Sequence, residues 1–348
     1  MNPLFLWVGI ALSFLFLVLA GRKSVPTLYP EQWVQELSDL SKTLDKEWTS
    51  DIEPYRKAFL NVDIPLFIRA ISMNDYKIAL FKFADLGEKT LGDVLIVHGY
   101  MAHSGHLLDL GLFFRQQNLR VYFLDLPGHG LSSGERFSIT DFRDYGQAVS
   151  VAWNVLTLSP RPGIMVGHST GSSAIIESLS LLEKNQPAAL VFGAPLVELQ
   201  RRGFRTTLNS LAGKKTIKLP EIFRNPRFMS QGASKNPCFW DFALLGDPLY
   251  RWIYAPSWMN AYELWIQSIL NRSHGIFSGP VLIVQGQQDT VIDWRKNQDL
   301  LPILFSHLEL QFLPSVTHTI FNLVPNEMND IYEIIKRFIE RIHKFGKI

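Results

Sequence analysis

The residues best suited to covalent chemistry lie in the pentapeptide GHSTG at positions 167–171, which fits the pattern G-x-S-x-G. The pentapeptide ends an apolar run, GIMV, and begins a helix-like segment, SSAIIESLSLL. On such a strand-to-helix turn, a serine presents its hydroxyl at the helix N-terminus. Glycine removes the side chains that would collide with the neighbouring strand and helix. We therefore predict Ser169 as a nucleophile, on a turn that Gly167 and Gly171 make possible.

A serine hydroxyl is a poor nucleophile unless a base accepts its proton and an acid orients that base. In enzymes built on this turn, the acid and the histidine follow the serine in the chain. Asp289 follows the apolar run VLIVQG, and His318 follows the run LQFLP, so both are predicted at the sheet edge that holds Ser169. Asp293 is the competing acid, and it lies close to the next predicted helix.

The tetrahedral intermediate of such a reaction needs hydrogen-bond donors for its oxyanion. The backbone N–H of Thr170, directly after the nucleophile, is predicted to be one donor. The second is predicted to be the backbone N–H of Tyr100, in the loop after the apolar run VLIVHG. Gly99 precedes it and lets the chain approach closely.

Three histidines in and beside this loop, His98, His103 and His106, could suggest a metal site. They lie on a predicted turn and lack the Glu or Asp expected of a hydrolytic zinc helix. His103 is instead interpreted as a brace for the loop. We expect no metal and no cofactor, since the glycines at 128, 130 and 134 also depart from the dinucleotide-binding spacing.

Short apolar runs alternate with helix-length segments from residue 66 onward. Strands are predicted at LFIRAIS and YKIALFKF and then at 94–99, 121–126, 163–169, 188–195, 281–286 and 310–314. Helices are predicted at 141–159, with Thr140 as N-cap, at 172–184 and near the C-terminus. Runs that are apolar on both faces and separated by helices predict an α/β fold, a mostly parallel central sheet flanked by helices.

The alternation divides the chain into four regions. Residues 61–196 and 278–348 are predicted to form the α/β core, and residues 197–277 an inserted, mainly helical cap whose first part is basic. Residues 24–60 are predicted as an acidic, amphipathic helical linker, and residues 1–23 as a membrane anchor or signal segment. The cap is interpreted either as a solvated face with core aromatics or as a surface that meets a membrane and walls a lipid pocket.

Residues 3–20 carry no charge. As a helix rising ~1.5 Å per residue, they would span roughly 27 Å, close to the hydrocarbon core of a bilayer. A single-pass N-terminal anchor is therefore predicted. The alternative is a signal peptide cleaved before Gly21, which would make the protein secreted or periplasmic.

Composition excludes several classes of protein. The 348 residues, 47% of them hydrophobic, can bury a sizeable core, and a net charge of +2 is no footprint of nucleic-acid binding. A single cysteine, Cys238, excludes an intramolecular disulfide framework and a cysteine-cluster metal site. No nucleic-acid partner is therefore expected, a membrane is expected as a partner of residues 3–20, and the oligomeric state is left open.

An ordered set of motifs carries a resemblance to a known family: His98-Gly99-x-x-x-His103-Ser104-Gly105, Asp125-x-x-Gly128-His129-Gly130-x-Ser132, GHSTG, Asp247-Pro248-Leu249, and His318 followed by Phe321-Asn322. They resemble serine α/β-hydrolases of the monoacylglycerol lipase and lysophospholipase type, whose domain is similar to that of serine aminopeptidases. The resemblance covers roughly residues 65 to 342. It departs at Asn74-Asp75-Tyr76, where the family often has an Asp-Gly turn.

The resemblance implies the α/β-hydrolase fold, with Ser169 as nucleophile, Asp289 as acid, His318 as base, and Tyr100 and Thr170 as oxyanion donors. It also implies an ester substrate with one acyl chain, such as a monoacylglycerol or lysophospholipid. Two alternatives stay open. One is an aminopeptidase or amidase on the same fold, and the other is a catalytically silent, membrane-tethered interaction protein.

Overall fold

The computed structural model describes residues 66–344 apart from 88–89, 157–161, 183–184, 252, 273–274 and most of 201–246. It also describes residues 217–218, 234 and 236 and scattered positions between 36 and 65. The predicted anchor over 1–23 and nearly all of the basic part of the cap lie outside the described residues. No helix within the described part of the chain combines the length and the apolar character needed to cross a membrane.

An eight-stranded sheet forms the centre of the core, in the order β1-β2-β4-β3-β5-β6-β9-β10. Its strands are β1 (Leu66–Met73), β2 (Tyr76–Phe83), β3 (Gly92–Val97), β4 (Leu119–Leu124), β5 (Gly163–His168), β6 (Ala189–Gly193), β9 (Phe277–Gly286) and β10 (Phe305–Leu313). In this sheet β2 runs antiparallel to both neighbours, and the remaining pairs are parallel. The predicted α/β fold with a mostly parallel sheet is confirmed.

Helices cover both faces of the sheet. They are α1 (Leu108–Gln116), α2 (Phe142–Leu156), α3 (Thr170–Ser178), α4 (Pro256–Leu270), α5 (Trp294–Leu304) and α6 (Pro325–Lys344). Side chains of β3 alternate between the two faces, so Leu95 packs in the cluster with α2, α3, α4 and α5, and Val94 in the cluster with α1 and α6. Burial on both faces explains why the central strands read as continuous apolar runs.

The first two strands form a hairpin with a two-residue turn, Asn74-Asp75. Met73 pairs with Tyr76, and Asn74 has a φ of +48°. Asparagine tolerates this left-handed conformation better than most residues other than glycine. The departure from an Asp-Gly turn therefore leaves the hairpin tight.

Two helices differ in detail from their prediction. The side chain that caps α2 is Asp141 rather than Thr140, because Asp141 Oδ1 accepts the Arg143 N–H at 2.9 Å. Helix α3 begins at Thr170, two residues before the predicted start, and a short 3-10 helix at Leu179–Leu181 follows it. The nucleophile turn therefore leads directly into the helix.

The described positions between 36 and 59, which we call the arm, fall in the segment predicted as a linker. The arm packs on β1, since the N–H of Ile52 donates to the Leu66 carbonyl at 3.0 Å. Leu44, Ile52 and Tyr55 are buried in the cluster that contains α1 and α6. The described part of the arm is therefore integrated into the core.

The described part of the cap contains the short strands β7 (Ile217–Lys218) and β8 (Ile253–Tyr254), which pair with each other, and helix α4. Helix α4 packs on α2, and one buried carboxylate ties it to α3. Glu177 Oε2 of α3 accepts hydrogen bonds from Trp265 Nε1 at 3.0 Å and from Arg272 at 2.7 Å. This pairing fixes the C-terminal half of α4 over the core.

Candidate active site

Ser169 lies between β5 and α3 with a φ of +50° and a ψ of −115°. This backbone conformation is strained for a residue with a side chain, and it lifts the hydroxyl out of the turn. A Cβ on Gly167 would lie 2.6 Å from the Ser172 nitrogen, and a Cβ on Gly171 would collide with the Val97 carbonyl. Both glycines are therefore required by close backbone approach, as their spacing predicts.

Three predicted side chains are hydrogen-bonded in series. His318 Nε2 lies 3.1 Å from Ser169 Oγ, and His318 Nδ1 lies 2.8 Å from Asp289 Oδ2. A carboxylate only accepts, so Nδ1 carries a proton and the Nε2 lone pair faces the serine hydroxyl. This is the arrangement in which the imidazole can remove the hydroxyl proton.

Asp289 is held in place by its own loop. Its Oδ1 accepts the N–H groups of Val291 at 2.7 Å and Ile292 at 2.9 Å. Burial alone would raise the pKa of Asp289, but His318 and these two donors hold that pKa below its usual value. The competing acid Asp293 caps α5 by accepting the Lys296 N–H at 3.3 Å. Asp289 therefore faces His318, whereas Asp293 stabilises the N-terminus of α5.

The oxyanion loop, residues 98–107, follows β3 and crosses the nucleophile turn. A Cβ on Gly99 would lie 2.9 Å from His168 Nδ1 and 3.2 Å from the Ser169 Cβ, so only glycine allows this approach. The Tyr100 ring stacks on Trp258 of α4 with centroids 4.1 Å apart. Its hydroxyl donates to the Phe137 carbonyl at 2.8 Å. Tyr100 is thus anchored through its side chain to Phe137 and Trp258.

The oxyanion loop is tied to the core by a buried acid, Asp125. The sequence analysis assigns this residue no role beyond its place in a motif. Asp125 Oδ1 accepts the Ser104 N–H at 2.7 Å, and Asp125 Oδ2 accepts the Leu131 N–H at 2.8 Å. Both oxygens of this fully buried carboxylate are therefore satisfied by backbone. The signal that could have found it is its position directly after β4, at the same sheet edge as the nucleophile.

His168, the variable position of G-x-S-x-G, was also missed as a positioning group. Its Nε2–H donates to the His318 carbonyl at 3.0 Å. Burial, reinforced by the neighbouring His318 ring, lowers the pKa of His168 to about 3. The ring is therefore neutral near neutral pH and supports the backbone of His318.

The histidines of the oxyanion loop meet a cap residue. His103 Nε2 lies 3.0 Å and His106 Nε2 lies 2.9 Å from the same oxygen, Asp247 Oδ2. Burial alone would raise the pKa of Asp247, but the two imidazoles hold that pKa well below its usual range. A buried carboxylate of the cap thus joins the loop to the cap. Asp247 was noted in sequence only as part of the phrase Asp247-Pro248-Leu249.

These three side chains place their ligand atoms within 4.8 Å of one another, a spacing that a metal ion could use. However, His103 Nδ1 accepts the N–H of Gly105 at 3.1 Å. A neutral imidazole that accepts at Nδ1 carries its proton at Nε2, and that nitrogen then has no lone pair for a metal. The hydrogen bonds therefore favour a brace between loop and cap.

Comparison with known proteins gives the family of the chain. A family model described as serine aminopeptidase, S33, matches residues 88–323, which is more than half of the chain. The chain is 26% identical to the monoacylglycerol lipase of Mycolicibacterium smegmatis over 236 residues, covering 66% of this chain and 82% of that protein. It is 27% identical to human monoglyceride lipase over 246 residues, covering 66% and 79% of the two chains.

The fold is shared with solved structures. A soluble variant of monoglyceride lipase from Saccharomyces cerevisiae superposes with a TM-score of 0.65 at 16% identity, covering 79% of this chain and 94% of that one. This likeness shows the α/β-hydrolase fold, and the matching model supplies the family. The resemblance found in the motifs is thereby confirmed: the chain belongs to the serine aminopeptidase (S33) family of α/β-hydrolases.

Proposed function

We propose that this protein is a serine hydrolase that cleaves carboxylic esters of single-acyl-chain lipids, such as monoacylglycerols or lysophospholipids, through an acyl-enzyme on Ser169. The observation that carries the proposal is the hydrogen-bonded series from Asp289 through His318 to Ser169. A catalytically silent scaffold has no chemical need for all three side chains in this order.

In the proposed mechanism, His318 Nε2 takes the hydroxyl proton as Ser169 Oγ attacks the acyl carbonyl. Asp289 holds the imidazole in the required tautomer and stabilises the imidazolium that forms. The N–H groups of Tyr100 and Thr170 donate to the oxyanion. His318 then protonates the leaving alcohol and activates a water, which releases the fatty acid and frees the serine.

The lipid class is supported by relatives, since the proteins from Mycolicibacterium smegmatis and human are both named as lipases of monoacylglycerols. Aromatic side chains of the cap also approach the site. Trp258 stacks on Tyr100, and Tyr250 contacts Phe137 with ring centroids 5.7 Å apart. These contacts pack an aromatic part of the cap against the oxyanion loop and the residues beside it.

An aminopeptidase is the second candidate, because the family description names that activity. Such a site needs an acid to hold the free amine of the substrate. In the described part of the site, the carboxylates of Asp125, Asp247 and Asp289 are engaged by backbone N–H groups or imidazoles. These pairings favour an ester with an uncharged or apolar acyl part.

We further propose that residues 3–20 anchor the protein in a membrane as a single N-terminal span. Their charge-free sequence supports this, and a cleaved signal peptide is the alternative. Carbonate extraction and N-terminal sequencing of the full chain test it. An intact N-terminus in the carbonate-resistant membrane fraction is expected. A new N-terminus at Gly21 would overturn the anchor.

The hydrolase proposal is tested with a fluorophosphonate probe and long-chain monoacylglycerol, with wild type beside Ser169→Ala. Ser180→Ala is the matched control, since Ser180 is an exposed residue in the short 3-10 helix after α3. Labelling and fatty-acid release are expected in wild type and control and in neither case for Ser169→Ala. Preferential turnover of aminoacyl amides would favour the aminopeptidase.

A further inference from the structure

The arm reaches the oxyanion loop through one buried hydroxyl. Tyr55 Oη lies 3.1 Å from His103 Nδ1, and Gly105 N–H donates to the same nitrogen at 3.1 Å. Because a backbone N–H can only donate, Nδ1 carries no proton, and Tyr55 therefore donates as well and shares the single Nδ1 lone pair with Gly105. Two donors on Nδ1 place the ring proton on Nε2, which is the atom that donates to Asp247.

Packing holds Tyr55 in this orientation. Its side chain is fully buried, and its ring stacks on Phe81 of β2 with centroids 4.9 Å apart. Phe59, also in the arm, lies edge-on to the His103 ring, with ring centroids 4.8 Å apart. A Cβ on Gly105 would lie 2.7 Å from the Phe59 ring, so the loop and the arm are in close contact. Burial, together with the nearby Asp125 and Asp247 carboxylates, raises the pKa of Tyr55, so the hydroxyl stays protonated.

The oxyanion loop is therefore held from three directions. Asp125 binds it from the core, Asp247 from the cap, and Tyr55 from the arm. Two of the three act through His103, which lies three residues after Tyr100. A loop fixed on fewer sides would hold the Tyr100 N–H less accurately, and transition-state stabilisation depends steeply on that accuracy.

From this geometry we propose that Tyr55 is a positioning residue for the oxyanion loop, acting through His103 and its bond to Asp247. The arm then contributes to catalysis by helping to hold the oxyanion loop in place. This inference rests on the proposed function, because it concerns the donor that the hydrolytic reaction uses.

The test compares Tyr55→Phe, Asp247→Asn and the double variant in the full chain, with p-nitrophenyl butyrate as substrate. Active sites are titrated with a fluorophosphonate so that kcat is given per reactive serine. Tyr332→Phe is the matched control, because its ring stacks on Phe113 of α1 at 4.5 Å. Complete loss of an oxyanion donor lowers kcat by about 10² to 10³. For displacement of the donor, we expect Tyr55→Phe to lower kcat by roughly tenfold with KM within about twofold.

The double variant separates a shared route from two independent ones. Because Tyr55 and Asp247 both act on His103, their effects on kcat are expected to be less than multiplicative. An unchanged kcat per titrated site in Tyr55→Phe, an equal loss in Tyr332→Phe, or multiplicative effects would each overturn the inference. If the folded wild type shows no labelling at all, the proposed function itself falls, and the inference falls with it. If Asp247→Asn does not fold, Tyr55→Phe against its control still decides.

Discussion

The nucleophile turn and the oxyanion loop contact each other, but they are held in different ways. The turn is fixed within five consecutive residues, between one strand and one helix, by glycines that permit close backbone approach. The loop is fixed by side chains from the arm, the core and the cap, namely Tyr55, Asp125 and Asp247. The residue proposed to attack is therefore positioned by local sequence, and the loop proposed to supply a backbone donor is positioned by distant packing.

The largest expected effect comes from removing the nucleophile of the locally encoded turn. Ser169→Ala should lower kcat by about 10⁶-fold, because the base then has no hydroxyl to activate. The purified variant, assayed on p-nitrophenyl butyrate, should keep a wild-type circular dichroism spectrum. Substantial turnover by the folded variant would mean that another residue attacks the ester.

The next largest effect separates the two acids. Asp289→Asn should lower kcat by about 10⁴-fold, because an amide cannot hold His318 in the required tautomer. Asp293→Asn is the matched control, since Asp293 caps α5. The control should leave kcat nearly unchanged and lower the free energy of unfolding by about 1 kcal/mol or less. Steady-state kinetics and urea denaturation measure both, and a reversed pattern would exchange the roles.

A third experiment perturbs the contact between loop and turn. In Gly99→Ala the new methyl would press on the His168 and Ser169 side chains. This should displace the neighbouring Tyr100 N–H, the proposed oxyanion donor, and lower kcat by roughly 10²-fold. In Gly87→Ala the methyl meets nothing within 4 Å, and its φ of +68° leads us to expect lower stability, by about 1 kcal/mol, with normal kcat. Equal kcat in the two variants would show that the loop tolerates displacement.

The last prediction concerns the pH dependence of stability rather than kcat. The pKa of His168 is lowered by burial to about 3, so the unfolded chain binds this proton at a higher pH than the folded chain does. Its contribution to the free energy of unfolding is complete above about pH 6.5 and decreases as the pH falls toward 3. Across this window, one such histidine contributes a slope of up to about 1.4 kcal/mol per pH unit.

The variant His168→Gln keeps a donor for the His318 carbonyl and cannot titrate. Its unfolding free energy, measured by urea titration between pH 4 and 7, should therefore fall less steeply than that of the wild type. The acid sensitivity that remains should come from other buried groups, including His98, whose pKa burial also lowers to about 3. Identical slopes would show that His168 does not carry this proton linkage.

Much of the candidate site could be proposed from the sequence, because its signals are local. Ser169, Asp289 and His318 each follow an apolar strand, and the carboxyl ends of parallel strands meet at one sheet edge. The helix that starts at Thr170 was placed two residues late, because the turn itself leads into it. The Thr140 cap was wrong because the neighbouring Asp141 carboxylate accepts the helix N–H instead.

The sequence did not indicate the hydrogen bonds that Tyr55, His168 and Asp247 make. Tyr55 lies 48 residues from His103 in the chain, and Asp247 lies 144 residues from it. A tyrosine in an acidic amphipathic segment and an aspartate in a cap phrase have no periodicity that indicates their partners. Each becomes meaningful only when packing brings it within hydrogen-bond distance of a ring nitrogen.

Sequence alone indicated a candidate nucleophile, a candidate base and two candidate acids, because their types and their order after apolar strands reflect short-range geometry. Tertiary structure decided which of two acids faces His318, which tautomer His103 adopts, and which distant segments hold the oxyanion loop. These depend on burial and on hydrogen-bond partners far apart in the chain. Within a water-excluding core, most buried donors find an acceptor, and the fold determines which acceptors are within reach.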